Sequence, residues 1–370
     1  MKNGKKKVVL ILTNSLGGLF SFRKEVVKAL FDEGYGVTIA CPPQYDKKSD
    51  YFNEIGCSIR SIHMDRRGTN PLRDLSLLRQ YRKLMRSIRP IAVLTYTIKP
   101  NVYGGIAARW CGIPQLANIT GLGDAIENPG LLQKFTIFMY RFGLKKARKV
   151  FYQNVSIQEF CQKYHIGKQG QLLPGSGVNL GWHSFQDYPS KDGMMGFNFI
   201  GRVMKDKGIE EYFEMAKTIR QKYPQTEFHI LGQCEEKKYE EQLKTLQEDG
   251  VIIWHGGVPD VRPYIKDSFA TIHSSYHEGM ANVLLETCAA GRPVIACNIN
   301  GCKEAVDDGV NGYLCKVKDA QDLTDKVERF INLPYEQKVQ MGLSARKKVE
   351  REFDRSLVIN AYLDEIKKIG

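Results

Sequence analysis

Short apolar runs alternate with longer amphipathic segments along the whole chain. Runs such as Val8–Leu12, Gly36–Cys41 and Ala92–Tyr96 are five or six residues long, which is typical of buried strands. The segments between them, such as Pro71–Ile88, have the spacing of amphipathic helices. The second half restarts the alternation at a strand over 197–201. This pattern predicts an α/β fold built on doubly wound parallel sheets.

A Gly- and Pro-rich segment near the middle of the chain separates the two sets of elements. The 370 residues exceed what one ordinary core holds, so two domains are expected. Residues 173–179, Leu-Pro-Gly-Ser-Gly-Val-Asn, are typical of a linker. We therefore expect a first domain over 1–175 and a second over 176–350, followed by a final helical segment over 351–370.

The stretch 275–296 carries the clearest chemistry of the chain. It predicts a loop after a short strand, and then a helix over 281–290 that stops at Gly291. Helix starts carry unpaired N–H groups and a partial positive charge, both of which suit a phosphate. The amides at this helix start belong to Met280, Ala281, Asn282 and Val283.

Two carboxylates belong to the same stretch. Glu278 lies in the loop and Glu286, eight positions later, lies inside the helix. A carboxylate accepts two sugar hydroxyls, which favours a role beside a ribose or a hexose. The spacing alone is equally compatible with two solvated acids in an ordinary crossover.

This stretch resembles the signature of retaining, nucleotide-sugar-dependent family 4 glycosyltransferases. There an E-G loop, a second Glu eight residues on and a G-x-P-V-I segment follow in that order. The similarity continues through Gly301, Glu304 and residues 308–314. It implies the GT-B fold: two Rossmann-like domains facing a central cleft. It also implies a UDP-sugar co-substrate, with no further cofactor and no metal.

The resemblance assigns roles to the E-G loop and its helix. Glu278 and Gly279 would hold the donor sugar and Glu286 the ribose of the nucleotide. The amides of the helix start would stabilise the leaving diphosphate. No side chain is nominated as general base, because in this family the leaving phosphate can take the acceptor proton.

Two cations follow the first strand of the second half. Arg202 and Lys207 lie at a strand-to-helix turn, where they suit a diphosphate, although as isolated residues they could equally be solvated. G-R-x4-K-G, which begins here at Gly201, is the diphosphate clamp of the family. We therefore expect Arg202, Lys207 and Glu278 as the catalytic residues.

Further donor contacts are implied by position. Gly17 and Gly18 lie in the turn after the first strand, before a helix expected from about residue 21. A similar glycine pair in the family faces the donor phosphates, whereas without the resemblance a tight turn explains the pair as well. The turn that contains Val258 holds the nucleobase through backbone groups in relatives.

Two loops at expected strand ends narrow the resemblance. Residues 97–104 read T-x-K-P-N-x-Y-G and residues 118–123 read N-I-T-G-L-G. They resemble a subgroup that extends polyprenyl-diphosphate-linked sugars in capsule, O-antigen or glycan assembly. Where many family members have a sugar-contacting His, this chain has Thr-Gly, so that role does not transfer. The candidate residues on this acceptor or sugar side are Lys99, Asn118, Thr120 and Gly121.

The positive charge belongs to the first half of the chain. Residues 1–180 hold 28 Lys and Arg against 11 Asp and Glu, a net +17, whereas the rest holds 26 against 30. Such asymmetry favours an anionic partner, namely acidic lipid, a diphosphate or nucleic acid. Nucleic acid is not expected, because the basic residues lack interleaved aromatic motifs.

Segment 131–149 combines aromatic and basic side chains at helical spacing. Its apolar face is Leu131, Phe135, Phe138, Met139 and Phe142. Its cations are Lys134, Arg141, Lys145, Lys146, Arg148 and Lys149. Such a helix can lie in an anionic membrane interface, or it can pack its apolar face in the core. The charge of the first half favours the membrane.

Cysteines and apolar run lengths bear on the compartment. Nine Cys without a CxxC pair favour a reducing compartment, with neither disulfides nor a metal site. The five apolar residues after the first lysines are too few for a signal peptide, and no run is long enough to span a membrane. We expect a cytoplasmic protein, peripheral on the inner face of the cell membrane.

These features together predict a retaining, metal-independent hexosyltransferase. It would move a hexose, N-acetylated or uronic, from a UDP-sugar to a polyprenyl-diphosphate-linked saccharide. Two other enzymatic functions stay open: transfer to a soluble acceptor, and UDP-sugar epimerisation. The non-enzymatic alternative is a nucleic-acid-binding module.

Overall fold

The chain divides into two compact units. The computed structural model describes residues 6–43, 47–65, 68, 70–121 and 130–369. Met1–Ser176 and Ser356–Gly370 form the first unit, and Gly177–Arg355 forms the second. The first break falls inside the Gly- and Pro-rich segment 173–179, and the second falls at the start of the last helix.

In its described residues the first unit has one seven-stranded parallel sheet in the order β3-β2-β1-β4-β5-β6-β7. The strands are β1 Val8–Leu12, β2 Gly36–Cys41, β3 Ser58–Ser61, β4 Ala92–Tyr96, β5 Gln115–Ile119, β6 Lys149–Tyr152 and β7 Gly170–Leu172. Its helices are α1 Leu16–Asp32, α2 Lys47–Glu54, α3 Pro71–Ile88, α4 Gly105–Cys111, α5 Leu131–Gly143 and α6 Val155–Lys163, with a π-helical turn Pro100–Gly104 ahead of α4. The last helix of the chain, α13 Arg355–Lys367, packs its buried residues with this unit.

The described part of the second unit has a six-stranded parallel sheet in the order β10-β9-β8-β11-β12-β13. The strands are β8 Met195–Ile200, β9 Thr226–Leu231, β10 Ile253–Gly256, β11 Ala270–His273, β12 Val294–Cys297 and β13 Gly312–Cys315. The helices are α7 Ile209–Lys222, α8 Lys238–Glu248, α9 Arg262–Asp267, α10 Asn282–Ala289, α11 Ala320–Ile331 and α12 Tyr335–Glu352.

Central strands of both sheets are buried on both faces. Residues 9–12 of β1 are fully buried, and all four residues of β12 are at most 2% exposed. Apolar runs on such strands are expected where helices cover both faces of a parallel sheet. The doubly wound architecture predicted from the alternating pattern is confirmed, and the carboxyl ends of each sheet's strands share one edge.

Helix α1 begins earlier than the sequence predicts. It starts at Leu16 instead of near residue 21, so Gly17 and Gly18 lie in its first turn and not in a loop. Ser15 caps the helix, because its Oγ accepts the N–H of Gly18 at 3.0 Å. A good N-cap offsets the low helix propensity of two glycines, which misleads a prediction from propensity alone.

Three elements of the first unit escaped prediction, one of which is helix α2. Strand β7 and helix α6 lie between the predicted strand at 150 and the linker. Strand β7 is only three residues long, with an exposed–intermediate–exposed pattern, so it lacks an apolar run. Helix α5 ends at Gly143, which leaves the cations from Lys145 to Lys149 in a turn and at the start of β6.

A fully buried arginine joins three segments of the second unit. Arg292 follows α10 and donates to the carbonyls of Gln186, Asp187 and Lys266 at 2.6 to 2.9 Å, and to that of Ala290 at 3.0 Å. Burial lowers the pKa of its guanidinium, so the desolvation is offset only by these acceptors. Arg292 therefore fixes the strand that follows the E-G helix against the segment at 186–187.

We predict that Arg292→Met destabilises the second unit. Several buried carbonyls would lose their donor, at a total cost of about 3 kcal/mol. That loss corresponds to a Tm lower by roughly 6–12 °C in a unit of this size, measured by circular dichroism. The control is Arg329→Met, which removes an exposed guanidinium over the Tyr313 ring and should shift Tm by less than about 2 °C. Equal Tm values for the two variants would contradict the assigned role.

Candidate active site

Two chain segments are held together at the carboxyl edge of the second sheet. The turn Lys205–Lys207 follows β8, and residues 274–276 follow β11. Ser274 Oγ donates to the carbonyls of Lys207 and Gly208 at 3.1 and 2.8 Å, and Tyr276 N–H donates to Asp206 O at 2.9 Å. A Cβ on Gly208 would lie 2.0 Å from Ser274 O, and its φ is +66°, so only glycine fits here.

This joint brings Lys207 and Glu278 together. Lys207 Nζ lies 2.5 Å from Glu278 Oε1, and the Nε2 of His273 lies 3.0 Å from the same oxygen. Side-chain exposure is 19% for Lys207, 15% for Glu278 and 6% for His273. The pair is largely desolvated, and in such surroundings a charge-assisted hydrogen bond is strong.

The pKa of Glu278 reflects its neighbours. Burial alone would raise it, but the hydrogen bond and charge of His273, followed by those of Lys207, outweigh burial and lower the pKa to about 2. Glu278 is therefore an anion throughout the physiological range. Its Oε2 has no hydrogen-bond partner among the described residues and is available to a hydroxyl group.

The E-G loop is also fixed from its other side. Ala281 N–H donates to Gly301 O at 2.9 Å, and a Cβ on Gly301 would lie 2.8 Å from Glu278 O. Of the four backbone amides predicted to bind a phosphate, that of Ala281 is not free, because it already donates to Gly301 O. Helix α10 starts at Asn282 without a side-chain cap, so the amides of Asn282 and Val283 remain at its first turn.

Glu286 lies in different surroundings on α10. Its Oε1 is 4.0 Å from His183 Nε2, and its side chain is 26% exposed. Burial raises the pKa of its carboxyl to about 7, although the charge of Arg355 acts in the opposite direction. The two glutamates of the signature thus have pKa values displaced in opposite directions.

The other predicted clamp cation lies apart from this cluster. Arg202 is exposed, and its Nη1 donates to Glu235 Oε2 at 2.8 Å. Lys207 is thus hydrogen-bonded to Glu278, whereas Arg202 is hydrogen-bonded to Glu235.

Glycines close the ends of the neighbouring strands. A Cβ on Gly232 would lie 1.7 Å from Gly201 O, and Gly232 N–H donates to Gly256 O at 2.7 Å. The half-buried Val258 follows in the same edge of the sheet. Backbone therefore lines this part of the edge, which gives a ligand amides and carbonyls to contact.

In the first unit, Lys99 belongs to a strained loop after β4. Its Nζ lies 2.6 Å from Asp74 Oδ1, and Tyr103 OH donates to Asp74 Oδ2 at 2.9 Å. Thr97 has a φ of +72°, which is rare for a β-branched residue, and a π-helical turn follows at Pro100–Gly104. Strain of this kind concentrates at functional sites.

The second loop of the first unit is only partly described. Asn118 is buried, donates to Thr95 O at 3.3 Å and accepts from Tyr362 OH of the last helix. Thr120 and Gly121 are half-buried, and a Cβ on Gly121 would meet nothing within 4 Å. Residues 122–129, which include the last two positions of the N-I-T-G-L-G motif, lie outside the described residues.

Gly18 has no steric reason to be glycine. Its φ is not positive, and an added Cβ would meet only Ser15, at 3.5 Å. The space around the first turn of α1, which contains Gly17 and Gly18 and follows the carboxyl end of β1, is therefore not filled by other side chains near Gly18.

His273 is the site residue that sequence reasoning missed. In the sequence it is one of three histidines close together, His255, His273 and His277, whose spacing favours packing over metal binding. Its position as the last residue of a buried strand, five residues before Glu278, was the available signal. Parallel strands present such residues at the edge where ligands bind.

The described residues contain neither a metal-binding cluster nor a membrane-spanning helix. Within the described ranges, no group of three or more His, Cys, Asp or Glu side chains has the arrangement of a metal site. The helices there are all too short or too polar to cross a bilayer.

Two family models match the chain. Residues 182–348 match glycosyl transferases group 1, and residues 9–154 match glycosyl transferase 4-like. Among similar proteins is the N,N'-diacetylbacillosaminyl-diphospho-undecaprenol alpha-1,3-N-acetylgalactosaminyltransferase of Campylobacter jejuni. It is 23% identical over 372 residues, covering 95% of this chain and 96% of the relative. The capsular polysaccharide biosynthesis glycosyltransferase CapM of Staphylococcus aureus is 24% identical over 77% of this chain and 80% of its own length.

Solved structures share the architecture. A glycosyltransferase from Rickettsia africae superposes with a TM-score of 0.83 at 18% identity, covering 99% of each chain. The Anabaena protein HepE, solved with UDP and glucose, gives a TM-score of 0.77 at 16% identity over 98% of this chain and 99% of its own. With both halves of the chain matched and the fold shared end to end, this protein belongs to the family 4-like glycosyltransferases of the GT-B fold.

Proposed function

We propose that the protein transfers a hexose from a UDP-sugar to a polyprenyl-diphosphate-linked saccharide, with retention of anomeric configuration. The observation that carries this proposal is the Lys207–Glu278–His273 cluster at the carboxyl edge of the second sheet. A half-buried cation beside a half-buried carboxylate suits a substrate that joins a diphosphate to a sugar. The HepE structure with UDP and glucose supports the choice of donor.

Lys207 would stabilise the departing diphosphate. One of its three N–H donors goes to Glu278, and two are left for phosphate oxygens. When the bond between the anomeric carbon and the phosphate oxygen breaks, negative charge grows on the UDP. A fixed cation, together with the amides of Asn282 and Val283 and the exposed Arg202, offsets that charge.

Glu278 would orient the donor sugar through its hydroxyls. The acceptor oxygen bonds to the anomeric carbon, and its proton passes to the leaving phosphate. This scheme needs no side-chain base and no metal, because the cations do the electrostatic work. Glu286 would hold the ribose, the turn at Val258 the nucleobase, and the helix start at Gly17 and Gly18 the phosphates from the first unit.

The relatives support a lipid-linked acceptor in surface glycan assembly. The Campylobacter jejuni protein is named for a sugar on diphospho-undecaprenol, and the Staphylococcus aureus protein for capsule biosynthesis. Lys99, Thr120 and Gly121 are the acceptor-side candidates, and Asn118 holds the last helix beneath them. A hexose that is N-acetylated or uronic is the proposed donor sugar.

An exposed stripe on α5 supports a place on the inner face of the membrane. Four of the five apolar residues assigned to one helix face are more than 40% exposed, as is Leu132, whereas the buried face is Thr136, Ile137, Tyr140 and Gly143. Core packing therefore does not explain the aromatic residues of this helix. Such a stripe suits insertion into a headgroup region.

We predict that Lys207→Met lowers kcat for sugar transfer about 100-fold or more, because the growing diphosphate charge loses its buried cation. Glu278→Gln should lower kcat/KM by a similar factor, through loss of the anion that orients the sugar. Initial rates with the UDP-sugar and a lipid-linked acceptor provide the measurement.

Lys205→Met is the matched control for Lys207→Met. Lys205 lies in the same turn, but its side chain is exposed, and it is the backbone N–H that contacts Glu236. The control should keep kcat within about twofold. A similar loss in both lysine variants would rule out a specific role for Lys207.

We predict a pH dependence that belongs to Glu286. Its pKa of about 7 means that the carboxyl is protonated on the acid side and loses acceptor capacity for ribose hydroxyls there. KM for the UDP-sugar should rise as pH falls from 8 to 6, by up to about tenfold. Glu286→Gln should raise KM at pH 8 and remove the dependence, whereas Glu278, with a pKa of about 2, contributes none. A dependence that persists in Glu286→Gln would assign the titration to another group.

The proposed reaction is tested directly with radiolabelled UDP-sugars and a bacterial membrane lipid extract. Label should pass into butanol with one donor and be lost in Lys207→Met. Label that depends on an acceptor but stays in water would replace the lipid acceptor by a soluble one. Conversion of the UDP-sugar without any acceptor would replace transfer by epimerisation.

A further inference from the structure

A cleft separates the second half of α5 from the turn that follows α6. It has a volume of about 380 Å³ and opens to solvent. Its lining residues are Phe138, Arg141, Phe142, Lys145, His165, Gly167 and Lys168.

The lining of this cleft is basic and has no carboxylate. Arg141, Lys145 and Lys168 are exposed, and none of them forms an ion pair with any residue that the structure describes. The neighbouring Arg148 and Lys149 differ, because both lie within 4.0 Å of Glu365 of the last helix. The cleft therefore contains three cations that form no ion pair with the described residues.

Aromatic rings form the other wall. Phe138 and Phe142 are 61% and 43% exposed and stack with centroids 6.4 Å apart. Arg109 fixes the position of Phe142 through two contacts. Its guanidinium lies 4.5 Å from the ring centroid, and its Nη1 donates to Phe142 O at 3.0 Å. Apolar rings beside unpaired cations match a ligand that has both an anionic group and an apolar part.

The turn opposite α5 has a fixed shape. His165 has a φ of +51° and Gly167 one of +75°. A Cβ on Gly167 would lie 2.5 Å from Val150 Cγ2, so the turn packs directly on β6. His165 N–H donates to Gln162 O at 3.1 Å and Ile166 N–H to Cys161 O at 2.8 Å. His165 and Lys168 are thus presented on a closed turn.

The cleft lies at the edge of the sheet opposite to the acceptor-side loops. Helix α5 follows the carboxyl end of β5 and leads back to the amino end of β6. Leu131 and Phe142 are eleven residues apart, or roughly 16 Å along the helix axis. The exposed stripe of α5 spans that length. Phe138 and Phe142 belong both to this stripe and to the lining of the cleft, so the cleft continues the exposed apolar surface of α5.

We propose that this cleft binds the phosphate of an anionic phospholipid. Arg141, Lys145 and Lys168 would contact the phosphate oxygens, while Phe138 and Phe142 enter the acyl boundary. The inference rests on the proposed membrane-linked function and adds a fixed contact that orients the first unit on the bilayer. The exposed aromatic stripe favours an acidic lipid as the source of the phosphate, since the acyl chains of a lipid can contact these rings and a free phosphate cannot.

The test measures binding to vesicles of phosphatidylcholine mixed with phosphatidylglycerol, by flotation. The cleft variant is Arg141→Gln with Lys168→Gln. The control is Lys134→Gln with Lys146→Gln, two exposed cations of the same region that do not line the cleft. Each pair removes the same charge. Long-range attraction contributes roughly fivefold per cation in either pair.

We expect the cleft pair to weaken binding about ten times more than the control pair, because it also loses direct phosphate hydrogen bonds. Equal losses would reduce the cleft to diffuse surface charge and overturn the proposal. Displacement of the wild-type protein from vesicles by millimolar inorganic phosphate at constant ionic strength would also overturn it, in favour of a free-phosphate site. Unchanged Tm values establish that both variants are folded.

Sugar transfer in detergent separates this inference from the proposed function. With a detergent-solubilised lipid-linked acceptor, the cleft pair should keep kcat/KM within about twofold of wild type, because no bilayer is required. Absent transfer in the wild-type protein would refute the proposed reaction and leave the vesicle comparison valid. Normal sugar transfer, together with equal losses of vesicle binding in the cleft pair and the control pair, would refute only the proposed phospholipid site.

Discussion

A lysine and a glutamate that lie 71 residues apart in the chain share a hydrogen bond of 2.5 Å, and much of the second unit serves to keep it. Desolvating both charges is costly, so the pair persists only because the surrounding backbone fixes its geometry. Gly208 allows the turn after β8 to pack against Ser274, and the Ser274 hydroxyl bonds to the carbonyl of Gly208. Gly301 packs against the backbone of Glu278 on the other side of the E-G loop. Two of the three act through close backbone contact and the third through a side-chain hydroxyl bonded to backbone carbonyls, and together they fix the loop that carries Glu278.

The two signature glutamates show how one helix and its loop supply two different carboxyls. Glu278 has two cationic or hydrogen-bonding neighbours and stays ionised, whereas burial dominates at Glu286 and raises its pKa to about 7. The chemistry of the residue type is the same, and only the neighbours differ. In the proposed reaction, the carboxylate beside the sugar would keep its charge at any physiological pH, whereas the one beside the ribose would titrate near neutral pH.

Apolar run length and turn residues were enough to predict the central strands of both sheets, because buried parallel strands need continuous apolar sequence. The resemblance named Lys207 and Glu278 among the candidate residues, but nothing in the sequence predicted that their side chains share a hydrogen bond. What failed depended on side-chain contacts, one of them local and one remote in sequence. The start of α1 was decided by the Ser15 cap, and the fate of Arg148 and Lys149 by Glu365, more than two hundred residues away. His273 was missed because a histidine on a buried strand is usually a packing residue.

The last helix links the completion of the first unit to the synthesis of the second. Tyr362 bonds to Asn118 on β5 and Glu365 lies 4.0 Å from Lys149 on β6, so residues after 355 complete the packing of strands made more than two hundred residues earlier. A ribosome adds about 5–20 residues per second, so the first unit waits roughly 10–40 s for its final helix. During that interval the surface destined for α13 is exposed, and Val358 and Tyr362 have not yet filled it. During translation, all residues of the second unit are therefore synthesised before the last residues of the first.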